Sequence, residues 1–350
     1  MDKRKKDFLL NISLVLVSIL FTLLALELIV RDYHQGFQNV ILTERGTLLE
    51  HYFHGFYSYD AYLGWVPTAH TADIKWDNHC KVTILNDGIR SNGNPTPPKI
   101  RPLIMAVGDS FTFGDQVADN ETWPSFLERM TGSRVLNAGV SSYGLDQTIL
   151  RAEQLVSKYK PDILIVSLIF DDLDRCFQSV RHAVPKPYFL VKDNQLVLKN
   201  VPTPSKPRAQ LDLFRRIFGY SHLANAVMDR IAPYYWWKDT VRDTRYVKSE
   251  RLEVVKLLFR RMENSFKNKT RVIVLIEGNI NVNITQYKIF KYVFKCIPSG
   301  QVEICDLIPY LVQLKDKNRQ KFNSFYIGHM TPLGNAWVAQ MVKEKIAKED

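Results

Sequence analysis

Apolar positions fall into three regimes along this chain of 350 residues. The first is one run, FLLNISLVLVSILFTLLALELIV, from Phe8 to Val30, in which only Asn11, Ser13, Ser18, Thr22 and Glu27 are polar. As a helix rising about 1.5 Å per residue, the run is roughly 34 Å long, enough to cross the hydrocarbon core of a bilayer. The second regime, residues 32–100, shows no sustained period and predicts irregular chain. It holds YDAYLGWVP (59–67), KVTILNDGIRSN (81–92) and the proline-rich NPTPPKI (94–100).

The third regime starts at Leu103, where short apolar runs alternate with stretches of helical spacing. Strands are expected at 103–107, 134–140, 162–170, 271–278 and 302–308. DILIVSLIF (162–170) is apolar on both faces, as a strand covered on each side by helices must be. Helices are expected at 123–130, with Thr122 as cap and Pro124 in the first turn, at 146–159, 249–266 and 285–297, and from near Pro332 onward. A polar, aromatic stretch at about 175–247 interrupts the alternation. Its Tyr234, Tyr235, Trp236 and Trp237 suit a lid or sugar-stacking surface, or else a covered or membrane-lying one. Alternation at this spacing predicts a three-layer α/β/α sandwich on a mostly parallel five-stranded sheet. The expected organisation is a cytoplasmic stub and transmembrane anchor at 1–31, a lead-in at 32–100, and an α/β domain at 101–348 carrying the insertion.

Charge orients the first regime. Lys3, Arg4, Lys5 and Lys6 precede the apolar run, which places them in the cytoplasm and the C-terminal bulk across the membrane, periplasmic or extracellular. No small-residue cleavage signal follows, so an uncleaved single-pass anchor is the reading; a cleaved signal peptide or a buried core helix are its alternatives. The chain carries a formal net charge of +11. The first 31 residues hold five Lys/Arg and three Asp/Glu, so the remainder is still +9. Its basic clusters at 199–216, 241–272 and 313–321 suit anionic envelope polymers or lipid headgroups, or are ordinary solvated faces. Nucleic acid as a partner does not fit the expected side of the membrane. The four cysteines, Cys80, Cys176, Cys296 and Cys305, contain no C-x-x-C pair. Outside the cytoplasm Cys296 and Cys305 are the candidate disulfide, with buried free thiols as the alternative. No metal-ligand spacing is present and no cofactor is expected. Nothing in the sequence fixes an oligomeric state.

In a parallel sheet the ligand site forms beyond the carboxyl ends of the strands. Three stretches rich in Gly, Asp or Ser fall at such ends: Gly108–Gly114, Asn137–Gly144 and Asp171–Asp174. Ser110 stands in the turn from the first strand into a helix, where its hydroxyl and nearby N–H groups face a ligand. Such a serine is a nucleophile or a helix cap. A nucleophile needs a base, and of the eight histidines His329, just before the proline-started last helix, is placed to reach the same edge.

The stretch VGDSFTFGDQVADNETWPSFLE resembles the first block of the SGNH (GDSL-type) hydrolase superfamily. LNAGVSSYGLDQ resembles its second block, PDILIVSLIFDDLD stands in place of its third, and IGHMTPLGNAWVA resembles its histidine block. YDAYLGWVP and LNDGIRS resemble the lead-in of membrane-anchored bacterial members. The resemblance covers roughly 58–345, apart from the insertion. It implies a flavodoxin-like sandwich in which Ser110 attacks an acyl carbonyl and His329 takes its proton. The oxyanion would be held by the Ser110 N–H, a second-block N–H from Gly139 or Ser142, and a third-block amide.

Three positions depart from the pattern. Ser142 replaces the second-block glycine. Asp171 replaces the third-block asparagine and as a carboxylate cannot donate, unless Asp172 raises the pKa of one of the pair. The acid expected two or three residues before His329 is absent, Tyr326 and Ile327 standing there; Asp306 is a candidate substitute or a structural residue. Asp109, beside the nucleophile, is a supporting residue. The leading expectation is therefore a membrane-anchored serine esterase or acyl-transfer enzyme acting on acyl esters of envelope glycans or lipids. The alternative is a catalytically impaired binding or scaffold protein for an acidic envelope polymer.

Overall fold

The structure is a computed structural model that describes residues 3–33, 55–76, 80–95, 99–181, 184–205, 213–236, 241–242, 248–295 and 302–348. Its helices are α1 (Lys3–Tyr33), α2 (Ser110–Phe113), α3 (Trp123–Thr131), α4 (Leu145–Tyr159), α5 (Phe170–Arg175), α6 (Leu213–Phe218), α7 (His222–Ile231), α8 (Pro233–Trp236), α9 (Lys248–Phe266), α10 (Ile284–Phe294), α11 (Ile308–Lys317), α12 (Arg319–Asn323) and α13 (Pro332–Ala347). Four strands, β1 (Tyr57–Asp60), β2 (Gly64–Pro67), β3 (Thr71–Trp76) and β4 (Cys80–Ile84), precede the central sheet. They pair as two antiparallel hairpins, β1–β2 and β3–β4, where irregular chain was expected. The later strands are β5 (Lys99–Val107), β6 (Ser133–Asn137), β7 (Ile163–Leu168), β8 (Gln178–Arg181), β9 (Val184–Pro185), β10 (Tyr188–Lys192), β11 (Gln195–Lys199), β12 (Val241–Arg242), β13 (Arg271–Ile276), β14 (Val302–Asp306), β15 (Tyr326–Ile327) and β16 (His329–Met330).

The central sheet has five strands in the order β14-β13-β7-β5-β6, every pair parallel. That is the flavodoxin-like order, and the direction of winding reverses between β5 and β7. Burial explains the apolar runs: all six residues of β7 and five of six in β13 are buried. Helices α3 and α13 pack on one another, as do α4 and α9. With right-handed crossovers, the reversal beside β5 puts the two pairs on opposite faces. Thr122 caps α3 by accepting from the Ser125 N–H, and Thr331 caps α13 by accepting from the Gly334 N–H.

Helix α1 is long and apolar enough to cross a membrane, and its most apolar window is covered by none of the described residues. Toward its C-terminal end α1 packs on α7, and its apolar stretch is otherwise exposed among the described residues. Cys305 is a free thiol buried on β14, as the alternative to a Cys296–Cys305 disulfide has it; Cys296 lies outside the described residues.

The hairpins are tied to the central sheet. Trp65 is fully buried and its indole N–H donates to the Ser141 carbonyl at 3.2 Å. The Tyr143 hydroxyl donates back to the Trp65 carbonyl. The Arg90 N–H donates to the Asn137 carbonyl at 2.8 Å, bridging β4 to the end of β6. Further along, β9 is anchored by Lys186, fully buried, whose ammonium meets Asp146 of α4 at 2.5 Å.

Candidate active site

Strand β5 ends at Val107, and the chain turns through Gly108 and Asp109 into α2, whose first residue is Ser110. Gly108 has to be glycine: a Cβ there would stand 2.3 Å from the Thr112 hydroxyl and 3.0 Å from the Ser167 carbonyl. Asp109 caps α2 by accepting from the Phe111 N–H at 2.9 Å. Gly114, at φ 90°, then turns the chain back toward the nucleophile, which brings Asp115 close to it. Arg90 fixes this turn from outside. One of its terminal nitrogens donates to the Phe113 and Gly114 carbonyls at 2.8 and 2.6 Å, and the other to the Val117 carbonyl at 2.6 Å. A fully buried guanidinium with every nitrogen engaged takes up the carbonyls left free where the short helix ends.

The structure brings Ser110 and His329 together, 219 residues apart in sequence: Ser110 Oγ lies 3.0 Å from His329 Nε2. His329 opens β16 in a two-residue hairpin, β15–β16, which is pinned where the His329 N–H donates to Gln116 Oε1 at 2.9 Å. The Phe111 ring packs on the imidazole, centroids 5.4 Å apart. Ser110 is only 4% exposed, while the His329 side chain is 32% exposed, so the ring forms the open side of the site.

The acid beside the histidine is one the sequence reading passed over. Asp115 Oδ2 lies 3.7 Å from His329 Nε2, and Asp115 Oδ1 accepts from the Ser141 hydroxyl. Burial pushes the Asp115 carboxyl above its ordinary pKa, against the pull of His329 and the Ser141 hydroxyl. The Asp115 carboxyl faces the same imidazole nitrogen that contacts Ser110. The signal was present in GDSFTFGD: the glycine before the second aspartate is the residue that returns the chain to the serine. The positions considered for this acid serve elsewhere. Ile327 is 75% exposed, the Tyr326 hydroxyl donates to the Gly278 carbonyl, and Asp306 accepts from the Ile308 N–H at the start of α11.

The supporting residues divide. Ser142 has φ 69°, the left-handed region that favours glycine, which accounts for the glycine in the family pattern. Gly139, expected as an N–H donor, gives that N–H to Asn137 Oδ1 at 3.2 Å; a Cβ there would stand 2.4 Å from the Phe113 nitrogen. It is a spacer for the close approach of the second block to α2. Asp171 lies exposed on the first turn of α5. Asp172 is buried and accepts from the Ile169 N–H and from Arg175 at 2.6 Å. Burial, with Asp109 nearby, raises its pKa well above the usual range; Asp171 is a minor contributor, so the expected carboxyl pair is not what tunes it.

Arg175 is the second residue that sequence reasoning missed. One terminal nitrogen reaches Asp172, the Tyr143 carbonyl at 2.9 Å and Asp109 Oδ2 at 3.1 Å, joining the ends of β5 and β7. Beneath them, buried Glu277 follows β13 and accepts from the Ser167 hydroxyl. Burial raises its pKa to about 8, despite the Ser167 hydroxyl, with Asp109 adding to the shift. Among the described residues, no cluster of three or more His, Cys, Asp or Glu is arranged to hold a metal ion.

A serine hydroxyl thus lies within hydrogen-bond reach of an imidazole over the carboxyl edge of a parallel sheet, a geometry in which an imidazole can take a hydroxyl proton. No family model matches the chain. An arylesterase from Vibrio mimicus is 25% identical over 142 residues, covering 38% of this chain and 70% of the relative. A lipolytic protein of the G-D-S-L family from Desulfitobacterium hafniense DCB-2 aligns over 70% of this chain and 99% of its own, at 12% identity and TM-score 0.39. A catalytic mutant of Axe2, an acetylxylan esterase from Geobacillus stearothermophilus, aligns over 73% of this chain and 98% of its own, at 13% identity and TM-score 0.42. The chain resembles the SGNH hydrolase superfamily in its sequence blocks and in its relatives, and it has the flavodoxin-like strand order that resemblance implies.

Proposed function

We propose that this protein is a serine esterase of SGNH type, held at a membrane by α1, that cleaves or transfers acyl groups on envelope glycans or lipids. The observation that carries the reading is the 3.0 Å contact between Ser110 Oγ and His329 Nε2 at the switch point of the sheet. In this reading Ser110 Oγ attacks the acyl carbonyl while His329 Nε2 takes its proton. The oxyanion is met by the Ser110 and Ser142 N–H groups. The ring returns the proton to the leaving alkoxide, and water or a sugar hydroxyl then releases the acyl group from the serine. Asp115 opposes the charge on the imidazolium during the step. The similarity to an arylesterase supports the chemistry. The apolar helix supports a membrane location, with residues 1–31 as anchor and 101–348 as the catalytic domain on the periplasmic or extracellular side.

A fluorophosphonate probe tests the reading on the full chain. Labelling that is lost in Ser110→Ala is the expected result. Wild-type protein that is folded yet unlabelled overturns it and leaves the binding-protein alternative, for which exposed Asp171, in place of a donating amide, is the supporting observation.

A further inference from the structure

We propose that α6 and α7 form a second membrane contact, an apolar platform that lies in the outer face of the bilayer beside α1 and fixes how the active site faces the lipid. This rests on reading α1 as a bilayer span. Outside α1, seventeen large apolar or tyrosine side chains are exposed among the described residues, and eight of them fall between 213 and 235. Scattered single exposures need no explanation, but this concentration does. Leu213, Phe214, Ile217 and Phe218 follow the i, i+4 spacing of one face of α6, exposed by 41 to 72%. Val227 and Ile231, 44% and 72% exposed, repeat that spacing on α7.

What marks lipid as the occupant is the attachment to α1. Glu27 accepts from the N–H groups of His222 and Leu223, both at 2.9 Å, and from the Ser221 hydroxyl at 2.7 Å, so a residue of the apolar helix caps α7. Arg31 pairs with Glu27 at 2.6 Å and donates to the Tyr220 carbonyl, closing the joint between α6 and α7. Glu27 precedes the end of the apolar run, Val30, by three positions, which on a helix is about 4.5 Å. The α6–α7 corner is therefore held about that far below the level at which the run ends. Interfacial helices bury their apolar faces about 5–10 Å into the headgroup–acyl boundary, so a corner about 4.5 Å down sits near the shallow end of that range. A polar corner at this level is tolerated because its N–H groups are already satisfied by Glu27.

The test uses the full chain in phosphatidylethanolamine–phosphatidylglycerol vesicles. Bimane is attached at Ile217→Cys or Ile231→Cys, at Val15→Cys within α1, and at Tyr310→Cys on the remote α11, with the parent protein labelled in parallel to subtract native thiols. Lipids brominated near the headgroup should quench positions 217 and 231 at least twofold more than position 310. Lipids brominated deep in the chain should quench position 15 most. Quenching at 15 with positions 217 and 231 no different from 310 overturns the platform and leaves the span intact. No quenching at 15 overturns the span, and the platform with it. Chain-to-chain cross-linking through position 217 without quenching assigns the surface to self-association and also overturns the proposal.

Discussion

The ends of β5 and β7 lie side by side at the switch point of one sheet, yet they have been built for opposite purposes. The β5 end is open chemistry: Ser110 faces a half-exposed imidazole, and the turn behind it is held rigid by Arg90. The β7 end, where the SGNH pattern has an asparagine amide, is closed electrostatics: Asp172 and Asp109 share the Arg175 guanidinium, while Asp171 is left to solvent. The difference teaches that a donor lost at one strand end need not dismantle its neighbour. Arg175 pairs with the two aspartates nearest the ends of β5 and β7, so neither Asp109 nor Asp172 is buried without a cation beside it.

The largest effect that sharpens this contrast is at β5. Ser110→Ala and His329→Gln should each lower hydrolysis of p-nitrophenyl acetate by about 10⁴-fold or more, since nucleophile and base act as one unit. The double variant should be no worse than either single one. Activity within tenfold of wild type in both would place the chemistry elsewhere.

Next comes the electrostatic closure at β7. Arg175→Met leaves Asp109 and Asp172 buried without their cation, and removal of one partner from a buried pair typically costs about 3–5 kcal/mol. A fall in denaturant midpoint of that order is expected, partly restored by adding Asp172→Asn. An unchanged midpoint would mean that the two ends are not coupled through Arg175.

Glu277 lies under both ends and gives the pH signature. Its folded pKa, about 8, stands above that of the unfolded chain, so between about pH 5 and pH 8 the folded state holds a proton that the unfolded state has released. Its contribution therefore lowers stability as pH rises through that window and levels off above pH 8. At about 1.4 kcal/mol per unit, reduced for relaxation around the site, the loss is on the order of 3 kcal/mol. Glu277→Gln should remove this slope, so that the variant and wild type diverge progressively from pH 5 to pH 8 in urea titrations.

The elements were legible wherever burial was two-sided or a cap was explicit. The run 162–170 announced β7 by being apolar at nearly every position, and Thr122–Pro124 and Pro332 announced the starts of α3 and α13. The serine and histidine were legible because their chemistry needs particular residue types at strand ends. The hairpins at 57–84 were not, because short strands that bury one or two side chains carry no sustained period. Asp115 and Arg175 were missed for a different reason. An acid's partner is set by the turn that carries it, here the left-handed Gly114, and an arginine at a short helix end reads as a surface charge until three acceptors converge on it. The tetrad at 234–237 was only partly resolved: Trp236 is buried and Tyr235 partly exposed, whereas Trp237 and the Tyr234 side chain lie outside what the structure describes.

The smallest effect separates backbone strain from chemistry on the β6 side of the site. Ser142 occupies φ 69°, a left-handed conformation that costs a residue with a Cβ about 1–2 kcal/mol. Glycine removes that strain but loses more chain entropy on folding, about 0.5–1 kcal/mol, so Ser142→Gly should stabilise the protein by about 0.5–1 kcal/mol. Because only the residue 142 N–H is asked to meet the oxyanion, kcat should stay within about threefold of wild type. Ser142→Ala retains the Cβ and should show neither the gain nor a loss of rate. A large fall in kcat in both variants, with stability unchanged, would instead assign the Ser142 hydroxyl a part in the reaction and shift the missing donor from the β7 end to the second block.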